Sequence, residues 1–234
     1  MVKVETVDRQ AVSVTVALPR SEALRLGGLL SVMRRKLTTQ DNRIRPALEG
    51  VQFLALGPRR LRLTATNGYA LARITMEVDV TDGALSGVLH GPGVEAYTVF
   101  DRQTVWVLAE ALGSSTSDIG EVRRLRWRCA DPDDPRAIAM ELDGELLGFT
   151  MAEPFPEMPK ALAAAEQGLR LTPEIATYNP ALLGGVLEAL GQVDEAVTLV
   201  SRARSSAYLR AEGDGWEGEG FVMPMDPDVR GPKA

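Results

Sequence analysis

Residues 12–18 read Val-Ser-Val-Thr-Val-Ala-Leu, apolar at every second position and rich in β-branched side chains. That period predicts a strand with one buried face. Pro19 closes it, and Ser21-Glu22 opens a segment with different spacing. Leu24, Leu26, Leu29, Leu30 and Met33 recur at helical intervals, with Arg25, Arg34, Arg35 and Lys36 largely off that face. A helix to about Leu37 is expected. Strands should follow at 47–56, 60–66 and 69–78. They are divided by Gly57-Pro58 and by Asn67-Gly68, a dipeptide favoured in hairpins.

The order then recurs. Residues 93–100 have strand character, and Asp101 is placed to cap a helix over 102–112. Strands are expected at 121–129, 136–142 and 145–151, with Asp143-Gly144 as the turn between the last two. A third cycle has a short strand at 174–178, then Asn179-Pro180 opening a helix to Leu190 with proline at its first position. Strands at 196–202, 207–212 and 219–225 complete it. The chain therefore contains three copies of a strand–helix–three-strand unit, an α+β pattern visible in element order and turn placement more than in residue identity.

Three short segments stand out in this plan: a turn between two strands, a linker and the end of the last strand. They are Thr66-Asn67-Gly68-Tyr69-Ala70-Leu71-Ala72, Phe155-Pro156-Glu157 and Phe221-Val222-Met223-Pro224-Met225. Together they resemble the T-D-G-H-R-L-A turn, the F-P-D linker and the V-M-P-M terminus of the bacterial replicative sliding clamp, the beta subunit of DNA polymerase III. The resemblance implies the DNA-clamp fold, antiparallel sheets with helices on one face. It implies a full clamp-like domain at 1–158 and half of another at 159–226. Residues 227–234 have no pattern and read as a flexible tail, and 161–168 as a helical or loose connector.

The same resemblance implies a pocket for partner peptides, built from Leu48, Thr66, Gly68, Leu71, Val222, Met223, Pro224 and Met225. Each matches the family in residue type as well as place. Read alone, the two methionines fit a terminal core strand equally, and Leu48 a core position at a strand start. Flexible thioethers also suit surfaces that accept varied peptides. Asn67, Tyr69 and Ala70 stand where the family has Asp, His and Arg, so the apolar floor is kept and the polar contacts change. Asp226 and a longer tail follow where the family ends on a basic residue and an apolar one.

Charge adds a second surface. The chain carries a net charge of −6, yet residues 20–73 hold eleven Lys/Arg against three acids, leaving +8 there and −14 elsewhere. One basic face toward phosphates in an acidic molecule fits this asymmetry, and so do ordinary solvated faces. Sliding clamps hold duplex DNA loosely, so the resemblance implies sequence-independent phosphate contacts from Arg25, Arg34, Arg35, Lys36, Arg43, Arg45 and Arg102. Arg124, Arg126 and Arg128 alternate along one strand and are read as a solvated sheet exterior. The third helix, by contrast, has no Lys or Arg.

Chemistry points away from catalysis. The single histidine, His90, lies in a Gly/Pro stretch without metal-ligand spacing, and no glycine loop with lysine cradles a phosphate. Asp133-Asp134 is read as a solvated turn. The single cysteine, Cys129, excludes an intrachain disulfide and is read as a buried structural thiol. No cofactor or metal is expected. A cytoplasmic location is expected, with no membrane partner. The expected function is a non-enzymatic clamp-like processivity or tethering factor, holding a DNA polymerase or repair partner on duplex DNA. The alternative is a clamp-derived adaptor or competitor that binds clamp partners without encircling DNA. A lone half domain leaves an open sheet edge and a one-sided core. A homo-oligomer is therefore expected, a dimer or tetramer with a ring as one form, through two half domains pairing about a two-fold axis. The opposing expectation is that the half domain packs on its own first domain and no ring forms.

Overall fold

The computed structural model describes residues 13–38, 46–56, 59–82, 98–113, 122–131, 134–151, 178–200 and 206–224. The first unit starts with β1 (Ser13–Pro19) and α1 (Arg20–Val32), which runs into a π-helical turn, Met33–Leu37. A 3-10 turn (Pro46–Glu49) precedes β2 (Gly50–Ala55), followed by β3 (Arg60–Thr66), β4 (Ala70–Glu77) and a short β5 (Asp79–Asp82). The second unit is β6 (Thr98–Asp101), α2 (Arg102–Gly113), β7 (Val122–Asp131), β8 (Asp134–Leu142) and β9 (Glu145–Met151). The third has α3 (Pro180–Leu190), β10 (Thr198–Val200), β11 (Ala207–Gly213) and β12 (Trp216–Val222).

Local chemistry explains many of these boundaries. Asp101 caps α2 by accepting from the N–H groups of Gln103 (2.7 Å) and Thr104 (3.0 Å). Asn179 accepts from Ala181 N–H at 2.9 Å, and Pro180 occupies the first position of α3. Asp143-Gly144 and Asp214-Gly215 both have positive φ at each residue, as tight two-residue hairpins require. Asn67-Gly68 differs from the hairpin form expected of it. Only Gly68 has positive φ, +90°. Asn67 instead caps the turn through its side-chain oxygen, which accepts from Tyr69 and Ala70 N–H at 3.0 and 2.9 Å.

Other differences follow from packing. The helix after β1 does not stay α-helical to Leu37. Its last five residues widen into the π turn, which keeps Met33 and Leu37 buried while Arg35 and Lys36 remain exposed. Leu24 is exposed, and the buried face of α1 runs instead through Ala23, Leu26, Gly27, Leu29 and Leu30. The strand expected at 47–56 starts only at Gly50, because Pro46 opens a 3-10 turn ahead of it. β5 was not expected at all. Its four residues lack a clear alternation, and it is held by pairing with β1. The segments 174–177 and 201–205, Phe155-Pro156-Glu157 and His90 lie outside the described residues.

The strands form two antiparallel sheets, in the orders β5-β1-β7-β8-β9 and β10-β11-β12-β4-β3-β2-β6. The first two units exchange strands. β1 of the first pairs with β7 of the second, and β6 of the second pairs with β2 of the first. α1 and α2 pack on each other at Gly27, where a Cβ would meet Ala109 O at 3.1 Å and Gly113 N at 3.2 Å. Phe53 meets Phe100 edge-on at 5.2 Å and Trp127 at 6.2 Å in the core beneath.

The third unit is not separate from the first. β12 pairs with β4 over seven residue pairs, from Trp216↔Met76 to Val222↔Ala70. α3 buries Val186, Ala189 and Leu190 in the same apolar cluster as α1 and the first sheets. Glycines in β12 make room for it. A Cβ at Gly218 would lie 2.6 Å from Leu190 Cδ2, and one at Gly220 would overlap Val186 Cγ1. One edge of the half unit is thus covered by its own chain. The other edge, at β10, is the outermost strand of its sheet among the described residues.

Candidate functional site

The turn after β3 and the end of β12 meet because β12 lies beside β4. Val222 pairs with Ala70, Phe221 with Leu71, and Met223 N–H donates to Tyr69 O at 2.8 Å. Thr66 stiffens the turn: its hydroxyl donates to Ala70 O (2.7 Å) and accepts from Gly68 N–H (3.1 Å). Leu48 stands beside it, since a Cβ on Gly68 would lie 3.9 Å from Leu48 Cδ1. The result is a surface with a buried floor and two exposed apolar groups. Leu48 and Leu71 are buried beneath it with Phe221, the partner of Leu71, while Val222 pairs with Ala70 and turns to the core face. Tyr69 is 65% and Met223 45% exposed. Pro224 continues at partial burial. The structure thus brings together Leu48, Thr66, Gly68, Leu71, Met223 and Pro224. Val222, expected in the pocket, instead faces the core, because β12 alternates and Phe221 takes the place beside Leu71. Met225 lies outside the described residues. Tyr69 was not among the expected pocket residues. Its place inside the matching turn was the signal for it.

The basic residues divide into two groups. Arg34, Arg35 and Lys36 occupy the π turn at the end of α1, and Arg102 opens α2 beside it. Arg34 Nε donates to Arg102 O at 3.2 Å, and its guanidinium lies 5.7 Å from the Trp106 ring centre. Arg102 donates to the Thr38 hydroxyl at 3.0 Å, and that hydroxyl donates to Arg34 O at 2.7 Å. Burial, and after it the nearby Arg34 charge, holds the Arg102 guanidinium below its ordinary pKa, with Glu49 pulling the other way. An arginine so placed remains protonated near neutrality, and an anion there would relieve the repulsion. Exposed Arg35 and Lys36 reach Glu188 of α3 at 3.6 and 3.8 Å. Thr38 and Trp106 were not expected in this cluster. Trp106 was legible, since it stands one helical turn after Arg102 on the same face.

Arg25 belongs elsewhere. Its guanidinium donates to Gln192 O at 2.6 Å and to Val193 O, and lies 4.4 Å from the Trp216 ring centre. Trp216 in turn donates its indole N–H to Glu22. These contacts make Arg25 a clasp between α1 and the third unit, so it is removed from the DNA-lining set expected above. Arg43 and Arg45 lie outside the described residues. Arg124, Arg126 and Arg128 share one face of β7, opposite Ala17, Thr15 and Ser13. Arg126 and Arg128 pair with Glu141 at 3.9 and 2.8 Å, and Arg123, on the other face, is tied to Asp143. That pattern fits a solvated sheet exterior.

Among the described residues no group of three or more His, Cys, Asp or Glu is placed to hold a metal ion, and no helix is long and apolar enough to cross a membrane. A cleft of about 350 Å³ lies at the opposite end of β4 and β12 from the turn, lined by Arg60, Glu77, Asp214, Trp216 and Glu217.

No family model and no curated protein matches the chain. Solved structures do. The DNA polymerase sliding clamp from Pseudomonas aeruginosa is 17% identical over 93% of this chain and 68% of its own, with a TM-score of 0.55. The DNA polymerase III subunit beta from the same organism is 16% identical over 94% of this chain and 69% of its own, at 0.57. The sliding clamp (DNA polymerase III subunit beta) from Bartonella birtlesii bound to griselimycin is 18% identical over 95% and 68%, at 0.57. At such identities the likeness is one of fold. The chain has the sliding-clamp fold over most of its length, as the repeated units and the short segments led one to expect.

Proposed function

We propose that this chain is a clamp-like tether. It binds a short peptide of a DNA polymerase or repair protein at the Tyr69–Met223 surface and holds that partner on duplex DNA without reading sequence. The observation that carries the peptide site is the Met223–Tyr69 backbone hydrogen bond. It joins two segments 154 positions apart into one apolar surface over Leu48, Leu71 and Phe221. The flexible Met223 thioether and the flat Tyr69 ring suit an extended peptide with apolar side chains. Arg34, Arg35, Lys36 and Arg102 are the phosphate-facing cations of this reading, with the fold as further support. The function needs no catalysis, metal or cofactor. It suits a cytoplasmic protein that self-associates, built from a full domain at 1–158 and a half domain at 159–226.

Anisotropy of labelled peptides from clamp-binding polymerases tests the peptide site. Tyr69→Ala and Met223→Glu should each weaken binding about tenfold, the usual effect of removing a central apolar contact. Equal affinity in both variants would move the site elsewhere. The second reading, an adaptor that binds clamp partners without encircling DNA, is favoured by α3. That helix carries no cation, and its Glu188 draws Arg35 and Lys36 toward itself.

A further inference from the structure

Inside this chain a unit of this kind is completed by another unit. β1 lies on the outer edge of β7 and β6 on the outer edge of β2, so the strand before each helix covers the strand after the other. The helices face each other at matching places: Gly27 is the eighth residue of α1, and it meets Ala109, the eighth of α2. Such reciprocal contacts are those of a two-fold interface.

α3 repeats α1 in this region. Leu26-Gly27-Gly28 in α1 matches Leu183-Gly184-Gly185 in α3. The second glycine of each lets the same two elements approach. A Cβ at Gly28 would lie 2.9 Å from Gln192 Oε1, just past α3, and one at Gly185 would lie 2.9 Å from Lys36 Cβ, just past α1. The first glycines have different surroundings. Gly27 is buried against α2, whereas around Gly184 no atom of the described residues comes within 4 Å of a built Cβ. One place further along the same face, Leu30 is 0% exposed and its counterpart Leu187 is 38% exposed. The strand after the helix repeats the contrast. β2 and β7 have their outer edges covered, and β10 has no strand on its outer edge among the described residues, with Leu199 on it 45% exposed.

We propose that a second copy of this chain docks on this face. The α3 helices of the two copies cross at Gly184 and bury Leu187, and the two third units complete each other about a two-fold axis as the first two units do within the chain. Charge permits it: Glu188 is the sole charged residue of α3, and it is engaged by Arg35 and Lys36 of its own chain. An open strand edge beside an apolar helix face is what a matching unit covers. The inference rests on the clamp reading only for the expectation that chains self-associate.

Light scattering of the full chain across a concentration range tests it, with Gly184→Leu and Leu187→Glu as variants. Both positions are exposed in the single chain, and circular dichroism melts verify that the variants fold. Wild type should weigh twice the 25.3 kDa chain mass, and both folded variants should fall to one chain mass. A wild type of one chain mass at every concentration overturns the inference, as it would if another segment of the same chain covered α3. Variants that keep the doubled mass overturn it too, placing the contact on another surface. Peptide anisotropy on the same samples separates the two proposals. Loss of the dimer with intact Tyr69–Met223 binding leaves the function standing, and the converse leaves the dimer standing.

Discussion

Arg25 and Arg35 come from one helical run and carry the same charge, yet their surroundings give them opposite roles. Arg25 satisfies two backbone carbonyls just past α3 and stacks on Trp216. Charge-assisted hydrogen bonds and a partly desolvated cation–π contact are worth about 1–3 kcal/mol each, with overlap. Arg25→Ala should therefore lower stability by about 2–3 kcal/mol in urea unfolding, without altering the salt dependence of DNA binding. Arg25→Lys should recover little, because an ammonium lacks the planar fork. Arg35→Ala and Lys36→Ala should do the reverse. Their ion pairs to Glu188 are exposed and worth about 0–1 kcal/mol. Each should reduce the slope of log affinity against log salt by about 1 if it meets a phosphate. A stable Arg25→Ala protein with a reduced slope would contradict this division. The sequence could not separate the two arginines. Helical spacing sets Arg25 off the Leu26 face, but its acceptors lie 167 and 168 positions away.

At the scale of elements, the seat of α3 depends on what β12 lacks. Gly218 and Gly220 leave space that Leu190 and Val186 fill. Overpacking of a tight core costs about 1–3 kcal/mol, so Gly220→Ala should lower stability by roughly that amount in thermal or urea melts. Gly184→Ala, at the open position of α3, should leave the single chain as stable or slightly more so through helix propensity, in melts run below the concentration at which copies associate. A neutral Gly220→Ala would mean that α3 does not lie against β12 as described. Elements set by adjacent residues were legible: the Asp101 cap, the Asn179-Pro180 start and the Asp143-Gly144 turn each act within three positions. β5 and the π turn were not, because their stability comes from β1 and from the buried Met33 and Leu37 rather than from local propensity. The Asn67-Gly68 turn was legible in place but not in form. Thr66 and Asn67 side chains redirect it, and that redirection leaves Tyr69 exposed beside Met223.

For the whole molecule, the order of elements was legible because it repeats, and the meeting of the turn with the end of β12 because two short segments match in type and position. The joining of the third unit to the first was not. It depends on β12 choosing β4 as neighbour, a pairing across some 150 residues that no local pattern encodes. Among the described residues, that joining makes one seven-stranded sheet, sets Met223 beside Tyr69, and leaves β10 and the outer face of α3 open. Tethering without chemistry requires that the protein stay on DNA through topology more than through affinity, since phosphate contacts alone weaken steeply with salt. The direct measurement is to let the protein thread onto linear duplex, ligate the ends, and pass the closed circles through gel filtration at high salt. A clamp-like tether should remain with the circles and be lost once they are cut. Equal loss from closed and cut DNA would contradict encirclement and leave the peptide surface to a non-encircling adaptor.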